Sequence, residues 1–198
     1  MKQFKDYDKT QTMGSGSNQL PVGGYVCVVK DTQYKEYDWG DCLYIAFDIA
    51  EGDQKGFYMN KFNADQSEDK KWKGVYKLFV PKDDGSEKDE WTKRKFKTFT
   101  TALEESNKDY AWDWDEKKWK SKKLKFGAVM QQHETYIEGS EHTITFTDVA
   151  YVTSVQKIKD GDFKPADKYV DKRAKDFLAT QNTTEFLSAS EGPDEIPF

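Results

Sequence analysis

At 198 residues and 23.0 kDa, the chain is long enough for one folded domain of about 100–200 residues with appendages. A mean hydropathy of −0.96, with no run near the ~18 apolar residues of a spanning helix, excludes a helical membrane protein. An aromatic content of 15% excludes a wholly disordered chain, and the formal net charge of −5 sits largely at one end. From Thr180 to Phe198 there are Glu185, Glu191, Asp194 and Glu195 and no Lys or Arg, leaving 31 basic against 32 acidic residues elsewhere.

Residues 1–19 are read as a flexible arm, because MGSGSN at Met13–Asn18 has linker composition. The start, MKQFKDYDKT, lacks the apolar region of a secretory signal, so a cytoplasmic protein is expected. Tyr25–Lys30 (YVCVVK) predicts a first strand after the Gly23-Gly24 turn. Asp31–Gly40 is read as a polar loop carrying Tyr34, Tyr37 and Trp39. Leu43, Ile45, Phe47 and Ile49 alternate with Tyr44, Ala46 and Asp48, a strand with one buried face. Glu51-Gly52-Asp53 turns the chain, and Gly56–Phe62 (GFYMNKF) is expected to return as the third strand of a meander. Asp69–Pro81 (DKKWKGVYKLFVP) breaks the pattern before the acidic turn Lys82–Glu90.

Glu90–Ser106 predicts a helix, with Phe96, Phe99 and Leu103 on one face and Asn107 as its stop. Tyr110–Trp119 is read as an aromatic-acidic connector. Lys122–Gln132 and Glu141–Ile158 predict two more strands around the polar loop His133–Ser140. In the last strand Ile144 and Phe146 have one parity and Val149, Tyr151 and Val155 the other, which predicts a β-bulge near Thr147-Asp148. Tyr169–Leu178 reads as a short helix. The order suggests a mainly β fold, a five-stranded OB barrel with a helix between strands 3 and 4. An ordinary α+β domain fits the same order.

The final residues, PDEIPF, suit a docking peptide. Proline limits the entropy lost on binding, the ring of Phe198 can fill a pocket, and the terminal carboxylate can meet a cation. A solvated acidic end is the plainer reading. Glu191–Phe198 (EGPDEIPF) resembles the C-terminal tip of bacterial single-stranded-DNA-binding proteins, although its acidic run is sparser. The resemblance implies recruitment of replication, recombination or repair proteins through Asp194, Glu195, Ile196, Pro197 and Phe198. A second resemblance covers roughly residues 20–165. LPVGGYVCVV, LYIAFDIAEGDQKGFY, DWDEKKWKSKKL and VQKIKDGDFK are similar to a phage and prophage family of predicted single-stranded-DNA-binding proteins. It implies an OB-type binding domain over residues 20–165, followed by a linker and docking tail over 166–198. The implied partners are single-stranded DNA and replication or recombination proteins, with self-association left open.

Binding single strands without sequence preference needs cations along the phosphates and exposed rings under the bases. Asp69–Lys77 places Lys70, Lys71, Lys73 and Lys77 around Trp72 and Tyr76. Trp91–Lys97 supplies Lys93 and Arg94, and Lys117–Lys125 has six lysines around Trp119. Each stretch reads equally as a solvated face with its rings in the core, and Phe96 belongs to the helix stripe. In an OB domain the second and third strands and the 1–2 and 4–5 loops carry the ligand. That choice adds Tyr44, Tyr58, Asn60 and Phe62 on the strands, with Phe57 and Met59 in place of Tyr58 and Asn60 for the opposite parity, and Tyr34, Tyr37, Trp39 and Tyr136 on the loops. No Walker loop, GxSxG or HExxH occurs, so no catalytic residue, metal or cofactor is expected. A metal-dependent nuclease using Asp113, Asp115 and Glu116, or a protein- or sugar-binding adaptor, are the rival readings. Cys27 and Cys42 are expected as reduced core thiols, and His133 and His142 as surface histidines.

Overall fold

The computed structural model of the chain describes residues 19–180. The arm before them, and the tail with Asp194 to Phe198, lie outside the described residues. Alternating apolar residues build an antiparallel sheet from β1 (Gly23–Lys35), β2 (Cys42–Ile49), β3 (Val75–Phe79), β4 (Lys125–Thr135) and β5 (Ile144–Thr153). Their order is β3-β2-β1-β4-β5. A short β6 (Tyr169–Val170) pairs in parallel with His133 and Glu134 of β4, beyond the point where Gly23 of β1 pairs with Met130. Leu43, Ile45, Phe47 and Ile49 of β2 are buried, as their period-2 spacing predicts, and they share the core with Cys27, Val29, Phe126, Ala128 and Met130.

Helix α2 (Glu87–Ser106) closes that core. Ser86 caps it by accepting the Asp89 backbone N–H at 3.1 Å, and Phe96, Phe99 and Leu103 form the buried stripe their spacing predicts. Asn107 ends it: its side-chain amide donates to the Leu103 and Lys125 carbonyls, both at 2.7 Å, and its oxygen accepts the Lys125 N–H. One side chain therefore fastens the end of the helix to the start of β4.

Several expectations give way. Gly56–Phe62 is not a strand but part of α1 (Phe57–Ala64). Tyr58 and Phe62 are four apart, so they satisfy a helical face as well as a period of two. The slot beside β2 is taken by β3, and the buried Asp48 carboxylate accepts the N–H groups of Ile49 (2.9 Å) and Tyr58 (3.0 Å), capping α1 from a neighbouring strand. The loop assigned to Asp31–Gly40 is shorter, because β1 runs on to Lys35 past a bulge at Lys30. The connector includes the short helix α3 (Lys117–Ser121), whose Trp119 is fully buried and donates to the Tyr110 hydroxyl at 2.7 Å. The bulge in β5 falls at Ala150 rather than near Thr147-Asp148. Past Thr153 the chain forms α4 (Val155–Asp160), which packs over Gly127 so closely that a Cβ there would lie 2.6 Å from Ile158. Tyr169–Leu178 divides into β6 and a helix over residues 172–180.

The fold is mixed α/β, with helix and strand in comparable amounts, and its six-stranded sheet is open rather than a closed five-stranded barrel. Among the described residues β3 and β5 do not pair. Helix α2 touches β3, β4 and β5, so a helix occupies the position where edge strands would otherwise meet. The expected helix between the third and fourth strands is present. No helix among the described residues is long and apolar enough to cross a membrane.

Replacing Asp48 with Ala leaves two backbone donors without their acceptor. The expected loss is about 1–3 kcal/mol in urea unfolding, with a smaller loss for Asp48→Asn, which keeps one acceptor oxygen.

Candidate nucleic-acid interface

The face of β1-β2-β3 opposite the core carries a row of paired residues. Tyr44 on β2 lies between Gln33 on β1 and Lys77 on β3, and the next pairs bring in Lys35 and Phe79. The turn after β1 folds back beside them, closed by the Gly40 N–H on the Tyr37 carbonyl at 2.9 Å. Tyr37 stacks on Trp39 (centroids 4.7 Å apart, planes 11° apart), and Trp39 meets Phe79 edge-on at 5.9 Å. The Tyr37 and Tyr44 hydroxyls are 2.9 Å apart. The ammonium groups of Lys35 and Lys77 lie 5.1 and 5.5 Å from the Tyr44 ring centre. Trp39 is 57% exposed and Phe79 44%, so two apolar rings of the cluster lie open to solvent.

Two phenols here, those of Tyr44 and Tyr34, are held uncharged. The hydrogen bond shared with the Tyr37 hydroxyl favours the protonated Tyr44 phenol and pushes it up to about 12. Tyr34, at the end of β1, donates to the Asp41 carboxylate, which pushes it up to about 12 as well. Neutral rings beside lysines can meet bases without repelling phosphates.

The structure thus brings together Tyr37, Trp39, Tyr44 and Lys77, with Tyr34 at their margin. Two members were missed from sequence. Lys35 lay in an assumed loop. Phe79 has the parity of Val75 and Lys77 and would have emerged had residues 75–79 been read as a strand. A second group joins Phe62, Trp72 and Lys70. The Lys70 ammonium is 4.7 Å from the Phe62 ring centre, and that ring is 5.8 Å from Trp72. The Trp72 indole N–H is anchored on the Phe47 and Gly74 carbonyls, both at 3.0 Å. Lys71 and Lys73 flank it, exposed. Among the described residues, none of Lys35, Lys70, Lys71, Lys73 and Lys77 pairs with a carboxylate.

Other candidates belong elsewhere. Tyr58 is buried against Phe47 (5.3 Å), because it lies on a helix rather than on an outward strand position. Tyr76 faces inward and stacks on Phe99 at 5.7 Å. Lys93 is engaged by Asp83 (2.7 Å), Glu90 (3.0 Å) and Asp89 (3.4 Å), while Arg94 is exposed on α2. In Lys117–Lys125 the ring of Trp119 is core, and Lys118, Lys120 and Lys125 pair with Asp113, Asp31 and Glu51. Tyr136 stacks on Phe177 at 4.2 Å, at the end of the sheet away from Tyr34, because β4 runs antiparallel to β1.

His133 is not a surface residue. It is half-buried, with Nδ1 2.7 Å from Asp148 and Nε2 3.7 Å from Asp171. Asp113 and Asp115 both turn to Lys118, and among the described residues no three His, Cys, Asp or Glu side chains form a group that could hold a metal ion. Cys27 and Cys42 are buried free thiols at opposite ends of the β1-β2 ladder, and burial pushes both upward. Comparison of the sequence with models of protein families and with curated proteins gives no match.

Raised phenol values make the Tyr34 and Tyr44 contacts fully present below the ordinary tyrosine value near 10, and lost only as pH climbs through about 12. Tyr37→Phe should bring Tyr44 back toward 10. Spectrophotometric titration of the variant against the wild type should show one fewer tyrosine ionising in the high range near 12.

Proposed function

We propose that the chain is a non-enzymatic single-stranded-DNA-binding protein, acting in the cytoplasm during phage replication or recombination. The observation that carries this reading is the Tyr37–Trp39–Tyr44–Phe79 cluster, in which Trp39 and Phe79 are exposed and Lys35 and Lys77, neither paired with a carboxylate among the described residues, lie over the Tyr44 ring. Rings accept bases regardless of identity, and lysines track the phosphates. The lysines of residues 70–73 extend the cationic surface along the approach to β3.

The topology supports the same reading. The order β3-β2-β1-β4-β5, with α2 and α3 between β3 and β4, is compatible with an OB barrel opened between its third and last strands. OB folds are often partly open, and they bind oligonucleotides on strands 2 and 3 beside the 1–2 loop. The ring cluster occupies that place. The tail tip, Asp194 to Phe198, would recruit replication or recombination proteins. Its acidic charge would compete for the same lysines at low salt.

The test is fluorescence anisotropy of labelled dT oligomers across a salt series, with duplex competitor. Single strands should bind selectively, with a log–log slope of about −0.7 per phosphate neutralised. Trp39→Ala and Tyr44→Ala should each weaken binding by about 1–3 kcal/mol. Lys77→Glu should also flatten the salt slope. Equal affinity for duplex would count against the proposal, and no binding at all would favour an adaptor. Truncation after Ser190 should tighten DNA binding at low salt and abolish partner recruitment; unchanged recruitment would refute the role of the tip.

A further inference from the structure

A second ring-lined groove lies beside the cluster. It has a volume of ≈ 610 Å³, within the range of about 300–1,000 Å³ common for ligand sites, and is bounded by Tyr34, Phe96, Trp112 and Trp114 with Lys93 and Lys97. Trp114 is 80% exposed, the most open of the large apolar side chains among the described residues. Its backbone has φ +64°, a left-handed conformation that a bulky L-residue adopts at a steric cost. Its ring nevertheless lies parallel to Phe96 (6.3 Å, 14°) and beside Trp112 (5.7 Å).

The connector that presents it is fastened down. The Trp112 N–H donates to Glu104 at 2.9 Å, Thr32 donates to the Glu116 carbonyl at 3.3 Å, and Lys120 pairs with Asp31 at 3.0 Å. Trp114 is therefore an exposed ring on an anchored support beside β1. Tyr34 connects the two sites, since it stands at the end of β1 that leads into Tyr37 and Trp39 and also walls the groove.

The charges say what such a groove would take. Asp83 and Glu116 line it, and Lys93 is already held by Asp83, Glu90 and Asp89, so its interior is close to neutral and offers little to a phosphate. Lys97, whose side chain is 73% exposed, lies 3.8 Å from its nearest carboxylate and can meet a phosphate outside. We propose that this groove is a second binding site, which takes unstacked nucleobases of the same DNA strand between Tyr34 and Trp114 while the phosphates stay outside. The proposal rests on the reading of the Tyr44 cluster as a single-strand interface, and it extends the path of the strand from β2-β3 along the flank of α2 that carries Lys93, Phe96 and Lys97.

The experiment measures binding of the full chain to dT oligomers from about 4 to about 20 nucleotides, spanning the usual occupancy of an OB-type site. Wild-type affinity should keep rising with length after Trp114→Ala has reached its plateau. At long lengths the variant should bind about 5- to 150-fold more weakly, with its salt slope unchanged, because no cation is removed. Trp114→Phe, which keeps a flat ring, should restore most of the loss. Tyr44→Ala should instead weaken binding at every length. A length dependence of Trp114→Ala identical to the wild type would overturn the groove and leave the Tyr44 reading standing. Failure of the wild type to bind any oligomer would overturn both.

Discussion

Phe99 is the side chain on which the arrangement of the ligand side depends. Its ring packs at 5.7 Å on Tyr76 of β3, at 5.2 Å on Trp119 and at 5.3 Å on Phe126 of β4. A fully buried ring with three aromatic neighbours contributes both area and geometry, and it cannot slide without opening a void. Through that contact α2 is wedged against both halves of the sheet. The strand edges stay apart, and the core-facing side of the helix borders β3. The two ring-lined surfaces are neighbours because this one helix forms a wall shared between them.

Electrostatics then separates structural lysines from available ones. The chain has 31 basic residues, but many serve the fold. Glu51 lies between Lys125 and Lys159, which together hold its carboxyl down to about 2. Lys118 and Lys120 tie the connector to Asp113 and Asp31. Exposed pairs of this kind add little stability singly, yet each one takes a cation away from any other anion. The lysines left around Tyr44 and along residues 70–73 form a small part of the total, but they lie beside exposed rings. A nearly neutral body can therefore still present a cationic strip.

Much of the fold was legible where one periodicity dominates. The strict alternation of Leu43 to Ile49 and the three-and-four spacing of Phe96, Phe99 and Leu103 leave one solution each, because a shift by one residue would expose the whole set. Legibility failed where two periods coincide. Tyr58 and Phe62 fit a strand face and a helix turn equally, and only the Asp48 carboxylate, ten residues before Tyr58, resolves the choice. The bulge in β5 was detectable as a change of parity, but not to the residue, since parity is blind to where within a short polar stretch the extra residue falls.

The same division holds for the candidate site. Sequence by itself determined which residue types were present: rings interleaved with lysines, a polar loop rich in tyrosine and tryptophan, and an acidic end with a proline and a terminal phenylalanine. It also determined the alternation that sends Tyr44 away from the core. Tertiary structure decided which of the basic-aromatic stretches faces outward. Trp119 and Tyr76 went inward and Trp39 and Trp114 stayed out, because burial depends on contacts with residues far along the chain. Pairing across the ladder placed Lys77 beside Tyr44, and the turn folded Tyr37 back onto Tyr44. Composition supplies the groups, but only the register of distant strands sets them within reach of one ligand.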